Sequence, residues 1–236
     1  MDYWNAVKAE AHQVANYTMK DSLEEVDLLR LAMSLYAEAF TIANDPAEPK
    51  AATVRKALIS QNFNTLNLSI DAAFQGYYVQ SIALLRNVYE NWLAFWYLAK
   101  YPQEANYWLN PSWEQRPPKA ETMRNKIDHP TKETKSKLHG FHEELSRFDH
   151  TDPVAVLSRI EMVESDLKVR VGVRYDRNNF GACTYALCVW VGNALDTIAS
   201  TILPEYEWHE KYAALGNELV TYIEKYDENY TAKTAD

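Results

Sequence analysis

The sequence predicts an all-α protein: a bundle of six to eight helices around a long antiparallel hairpin, with a small β-hairpin or irregular insert. Three observations carry that prediction. Apolar residues recur at helical spacing along most of the chain. Only 6 of the 236 residues are glycine, too few for a loop-rich β-fold. The stretch from Phe74 to Lys100, FQGYYVQSIALLRNVYENWLAFWYLAK, is apolar nearly all round, as suits a helix at the centre of a bundle.

The elements follow from local signals. N-terminal helices are expected over 1–45, the second opened by a capping box from Ser22 to Glu25 and running towards Ala43. Leu28, Leu31, Leu35 and Ala39 form its buried stripe. Asp45, Pro46 and Pro49 break it, and 51–100 forms the central hairpin. Its first helix, from Ala51 to Gln75, buries Leu58, Phe63, Leu66 and Ile70. Gly76 makes the turn, and Tyr101 before Pro102 stops the second helix. A short amphipathic piece, Gln103 to Leu109, leads into the proline-rich loop Asn110–Pro118, a candidate lid. Helices are expected from Ala120 to Ile127, ending at His129 and Pro130, and from Lys132 to Phe148. Val169, Val171, Val173 and Tyr175 then alternate with polar residues, which reads as a strand, with Val154 to Met162 as its hairpin partner or a short helix. Two helices close the chain, Asn179 to Leu203 and Glu205 to Glu228, with a frayed tail over 229–236. All of this is one domain, 1–236.

Composition narrows the function. With 33 acids against 24 bases the net charge is −9, so a general nucleic-acid surface is disfavoured, no DNA is expected, and any RNA contact must be local. Neither G-x-G-x-x-G nor G-K-[ST] occurs, so no cofactor is implied by those fingerprints. Cys183 and Cys188 stand five apart, about 140° round a helix, and read as two buried reduced thiols. The start, MDYWNAVKAEAH, lacks the apolar core of a signal peptide. The run Tyr77–Ala99 is interrupted by Gln80, Arg86, Asn87, Glu90 and Asn91, so no membrane span is expected there and the location reads as cytoplasmic. Sixteen Tyr and seven Trp exceed what a core needs and point to a homodimer face.

Chemistry concentrates in a few places. Arg86 and Glu90 stand one turn apart on the central helix, with Asn87 and Asn91 beside them at the same spacing. They form either a salt bridge tying the bundle together or a clamp for an anionic ligand. His139 and His142 make an H-x-x-H beside Glu143, short of the three or four ligands a zinc site wants, so no metal is expected. Arg147 and His150 stand three apart near a helix end, where Asp149 and Asp152 could hold the imidazole tautomer, or His150 simply meets the helix dipole. Arg124 and His129 spell R-x4-H, with His129 pushed from helical geometry by Pro130.

That last motif, after a helical hairpin, resembles the HEPN superfamily (higher eukaryote and prokaryote nucleotide-binding), many of whose members are metal-independent ribonucleases carrying R-x4-6-H. The resemblance implies that Arg124 stabilises phosphate while His129 moves protons. A second likeness spans 55–200. The run YYVQSIALLRNVYE and the later LSRFDH are similar to an uncharacterised bacterial all-α family with "LLR…E" and "LS…H" motifs, which implies that Arg86, Glu90 and His150 meet in space. The expected function is therefore a HEPN-like protein that binds or cleaves RNA, or binds a nucleotide, in bacterial defence or a toxin–antitoxin system. The alternative is a non-catalytic, homodimeric interaction module.

Overall fold

The computed structural model describes residues 2–42, 48–112, 115–128, 137–149, 160–163, 166–169, 173–201 and 206–234. Among these residues it is an all-α bundle of nine α-helices, with one 3-10 turn and one two-stranded hairpin. In chain order the helices are α1 Tyr3–Asp21, α2 Leu23–Ile42, α3 Pro49–Phe74, α4 Tyr78–Lys100, α5 Asn106–Leu109, α6 Ala120–Asp128, α7 Lys137–Asp149, α8 Arg177–Thr201 and α9 Tyr206–Thr234. The 3-10 turn, Pro102–Ala105, runs straight into α5.

The expected hairpin of long helices is α3 and α4, the most extensively packed pair. Gly76 sits at φ +82°, where a Cβ would come within 2.7 Å of the Arg174 carbonyl oxygen, so the turn requires glycine. Leu66, Leu85, Val88, Leu93 and Leu98 are fully sealed between these helices and their neighbours, each contributing roughly 1.5–3 kcal/mol of burial. Ser69 Oγ donates to the Ser81 carbonyl at 2.7 Å, fixing the hairpin near its turn. α8 packs across α2, α3, α4 and α9. Trp92 Nε1 donates to Thr197 Oγ1 at 2.7 Å and so pins α4 to α8. α8 is also the one described helix long and apolar enough to cross a membrane, but Cys183, Leu187, Val191 and Leu195 on it are fully buried in the protein core. Cys183 and Cys188 are free and sealed, as the sequence suggests.

Four expectations are corrected. Leu31, placed in the α2 stripe, lies outside with 55% exposure, while Leu28, Leu35 and Ala39 are buried. The side chains of the Ser22–Glu25 box reach across to α8: Arg177 Nη1 donates to Ser22 Oγ at 3.2 Å, and Arg177 pairs with Glu25. The strands are Ile160–Val163 and Asp166–Val169, antiparallel with Ile160 opposite Val169, earlier than the alternation from Val169 to Tyr175 suggested. Val173 and Tyr175 instead lie along α1: Val173 is buried against Ala11 and Val14, and Tyr175 rests on the Tyr17 ring at 4.7 Å. Their alternation records one strip covered by a helix. Helix α9 also continues to Thr234, past the expected end at Glu228.

Candidate functional site

The two short helices α6 and α7 pack on α4 and on each other. On α6, Ala120, Met123, Arg124 and Ile127 share one stripe at i, i+3, i+4 and i+7. Packing that stripe down carries the Arg124 guanidinium inside, leaving the residue 6% exposed. Polar ties hold α6 in register. Tyr101 Oη donates to the Lys126 carbonyl (3.1 Å), and Lys126 Nζ donates to Tyr97 Oη (2.8 Å) and Glu104 Oε1 (2.9 Å). On α7, Leu138 and Leu145 are buried and His142 lies between them on the same face.

Tyr89 of α4 joins the three helices. Its fully buried hydroxyl donates to the Leu138 carbonyl at 3.0 Å and accepts from the Arg124 guanidinium. Burial raises its pKa, and Arg124 opposes that rise. The His142 imidazole stacks over the Tyr89 ring, centroids 6.1 Å apart. Burial holds the His142 pKa below its ordinary value, and the positive charges of Arg124 and then Arg86 push it further down. His142 is thus a neutral imidazole at neutral pH. Arg124 Nη1 and His142 Nδ1 are among the buried polar atoms here with no hydrogen-bond partner among the described residues.

Arg86 and Glu90 border this cluster. Their side chains pair through Nε and Oε1 at 3.3 Å, but they are 22% and 42% exposed. The pair is therefore not sealed at the bundle centre, because the α4 face that carries it turns to two short helices that cover it incompletely. Asn87 is exposed, whereas Asn91 is half-buried and its Nδ2 lacks a partner. Arg147 is exposed and pairs with Glu144 on its own helix at 3.6 Å. His129 and His150 lie outside the described residues, as does Pro130. Of the sequence-derived candidates, the structure brings together Arg86, Glu90 and Arg124. Tyr89 belongs to no sequence motif, and the H-x-x-H pattern, set aside as a metal site, gave His142 no role. Its place between Leu138 and Leu145 was the available signal. His139 pairs with Glu143 at 3.0 Å on the outer side.

Chemically, the cluster offers two guanidiniums near one neutral imidazole on an aromatic floor. Guanidinium forks match phosphate or carboxylate oxygens, and a neutral imidazole accepts a proton. Among the described residues no three His, Cys, Asp or Glu side chains group as metal ligands. No family model, curated protein or solved structure matches the chain.

Proposed function

We propose that the Arg86, Arg124 and His142 cluster is the phosphate-recognition site of a HEPN-like, cytoplasmic protein that binds RNA and cleaves it without metal. The observation that carries this reading is the buried Arg124 guanidinium, with an uncommitted N–H, beside a histidine kept neutral by burial and then by the same charge. A buried donor without an acceptor costs about 1–3 kcal/mol, and a phosphate oxygen would supply the acceptor. In the proposed reaction His142 takes the proton of a ribose 2′-hydroxyl. The 2′-oxygen bonds to the adjacent phosphorus, the bond to the 5′-oxygen breaks, and that oxygen takes a proton from the imidazolium. Arg124 and Arg86 stabilise the charge that builds on the phosphoryl oxygens, while Glu90 orients Arg86. Helix motion that opens the α6–α7 cover admits the strand, since both unpartnered atoms are buried in the closed form.

The test uses purified protein, a mixed-sequence RNA oligonucleotide and its all-deoxy counterpart, in excess chelator. RNA products ending in 2′,3′-cyclic phosphate, absent from the deoxy strand and lost in His142→Gln, support the reading. Intact RNA together with RNA affinity unchanged in Arg124→Met and Arg86→Gln refutes it. The rival reading, a homodimeric interaction module, is favoured by the outward Tyr3 (76% exposed) and Trp4 (69%) on α1. Sedimentation of the wild type and Trp4→Ser tests it: a monomer–dimer equilibrium weakened by the substitution would support that module.

A further inference from the structure

A second site lies away from this cluster, where the first turns of α2 and α8 meet the distal half of α9. A cavity of about 530 Å³ opens there, within the range that holds small ligands. Its walls are chemically mixed in an ordered way. One wall is aromatic: Tyr222 and Tyr226 lie one turn apart on α9, and the Tyr226 ring packs on Tyr185 with centroids 4.9 Å apart. Gly181 permits this arrangement, because a Cβ there would approach Tyr226 Cε2 to 3.2 Å. The facing wall carries the Asn178 and Asn179 amides and the half-exposed Arg177 guanidinium. Arg177 is anchored by Ser22 and by Glu25, a lining carboxylate only 8% exposed, so the fork is held in place and keeps further N–H groups. The exposed Lys225 and Glu24 complete the lining.

We propose that this cavity binds a ribonucleoside 5′-monophosphate. A tyrosine backed by a second ring is a platform on which a base stacks. Paired asparagine amides present both donors and acceptors to base edges, and a carboxylate accepts from ribose hydroxyls. Arg177 and Lys225 take the phosphate. The lining charges decide the phosphate count: Glu24 and Glu25 offset the two cations, and no glycine-rich phosphate cradle exists in the sequence. A triphosphate would be repelled and a monophosphate tolerated. This site is separate from the Arg124 cluster, so either proposal stands if the other fails.

Isothermal titration of the full chain with AMP, GMP, CMP and UMP, with the matching nucleosides and inorganic phosphate as further arms, tests the assignment. The expected result is a dissociation constant below about 1 mM for at least one monophosphate, at least tenfold tighter than its nucleoside or phosphate alone. Tyr226→Ala should weaken it about tenfold by removing the platform, and Lys225→Gln, at an exposed position that does not threaten folding, should weaken the monophosphate but not the nucleoside. No binding of any monophosphate at about 1 mM, binding matched by phosphate alone, or affinity unchanged in both variants would overturn the proposal.

Discussion

Arg124→Met separates a functional arginine from a structural one. Methionine fills a similar volume and keeps the stripe formed with Met123 and Ile127 apolar. Two effects on stability oppose each other. Removing the guanidinium deletes an unsatisfied buried donor, which returns about 1–3 kcal/mol. It also deletes the charged hydrogen bond to Tyr89, which contributes about 1.5–3 kcal/mol. Tyr89 keeps its bond to the Leu138 carbonyl, so its own donor is not orphaned. The net change should fall within about 1 kcal/mol of zero, a Tm shift of no more than roughly 4 °C for a chain of this length. If Arg124 were instead one half of a sealed ion pair, its loss would cost about 3–5 kcal/mol. Thermal melts followed by far-UV circular dichroism distinguish these outcomes. The same variant should lose RNA affinity and let the His142 pKa climb, since Arg124 is the leading charge depressing it; imidazole proton NMR reads that shift. A destabilisation of about 3 kcal/mol or more, or a His142 titration identical to wild type, would refute the reasoning.

Further predictions concern pH, the central turn and the thiols. The folded His142 pKa lies below its unfolded value near 6.5, so the unfolded chain binds the proton first on acidification. The stability linked to this group is present above about pH 6.5 and declines as pH falls through that value towards the folded pKa; denaturant titrations of His142→Gln should show a shallower fall than wild type. Gly76→Ala forces a side chain to φ +82° and against the Arg174 carbonyl, and should cost about 2 kcal/mol or more. Gly216→Ala inside α9, where a Cβ meets nothing within 4 Å, should instead stabilise by about 0.5–1 kcal/mol, and unfolding midpoints compare the two directly. Burial pushes both the Cys183 and Cys188 thiols up to about 12, so an aromatic disulfide reagent at pH 8 should leave the native protein unmodified and label two thiols in guanidinium.

The bundle was legible because its signals are local. Gly76, Pro102 and the helical spacing of Leu58, Leu66 and Ile70 act within a turn or two of themselves, and the hairpin they define matches α3 and α4. Leu31 and the strand boundaries were not legible for a related reason. Helical spacing selects a stripe but not its width, and alternation records which residues are covered but not what covers them. For Val173 and Tyr175 the cover is α1. The candidate site was half legible. Arg86 and Glu90 pair at their expected spacing, and Arg124 was singled out for a motif. That it lies under α4 and meets His142 depends on three helices distant in sequence, and the sign of that contact was present only as a polar residue on each short apolar stripe.

That placement is the structural argument behind the proposed phosphate site. A short helix needs its apolar face to dock, and Arg124 and His142 occupy positions on those faces where leucine would bury more apolar area without orphaning a donor. The chain nevertheless keeps α6 seated by other means: the Lys126, Tyr97 and Glu104 network and the Tyr101 bond to the Lys126 carbonyl. These contacts lie within two residues of Arg124 and fix the helix end that carries it. A helix weakened at its core-facing position and reinforced just beside it is expected when that position serves a guest, since a purely structural helix would gain from the reverse arrangement.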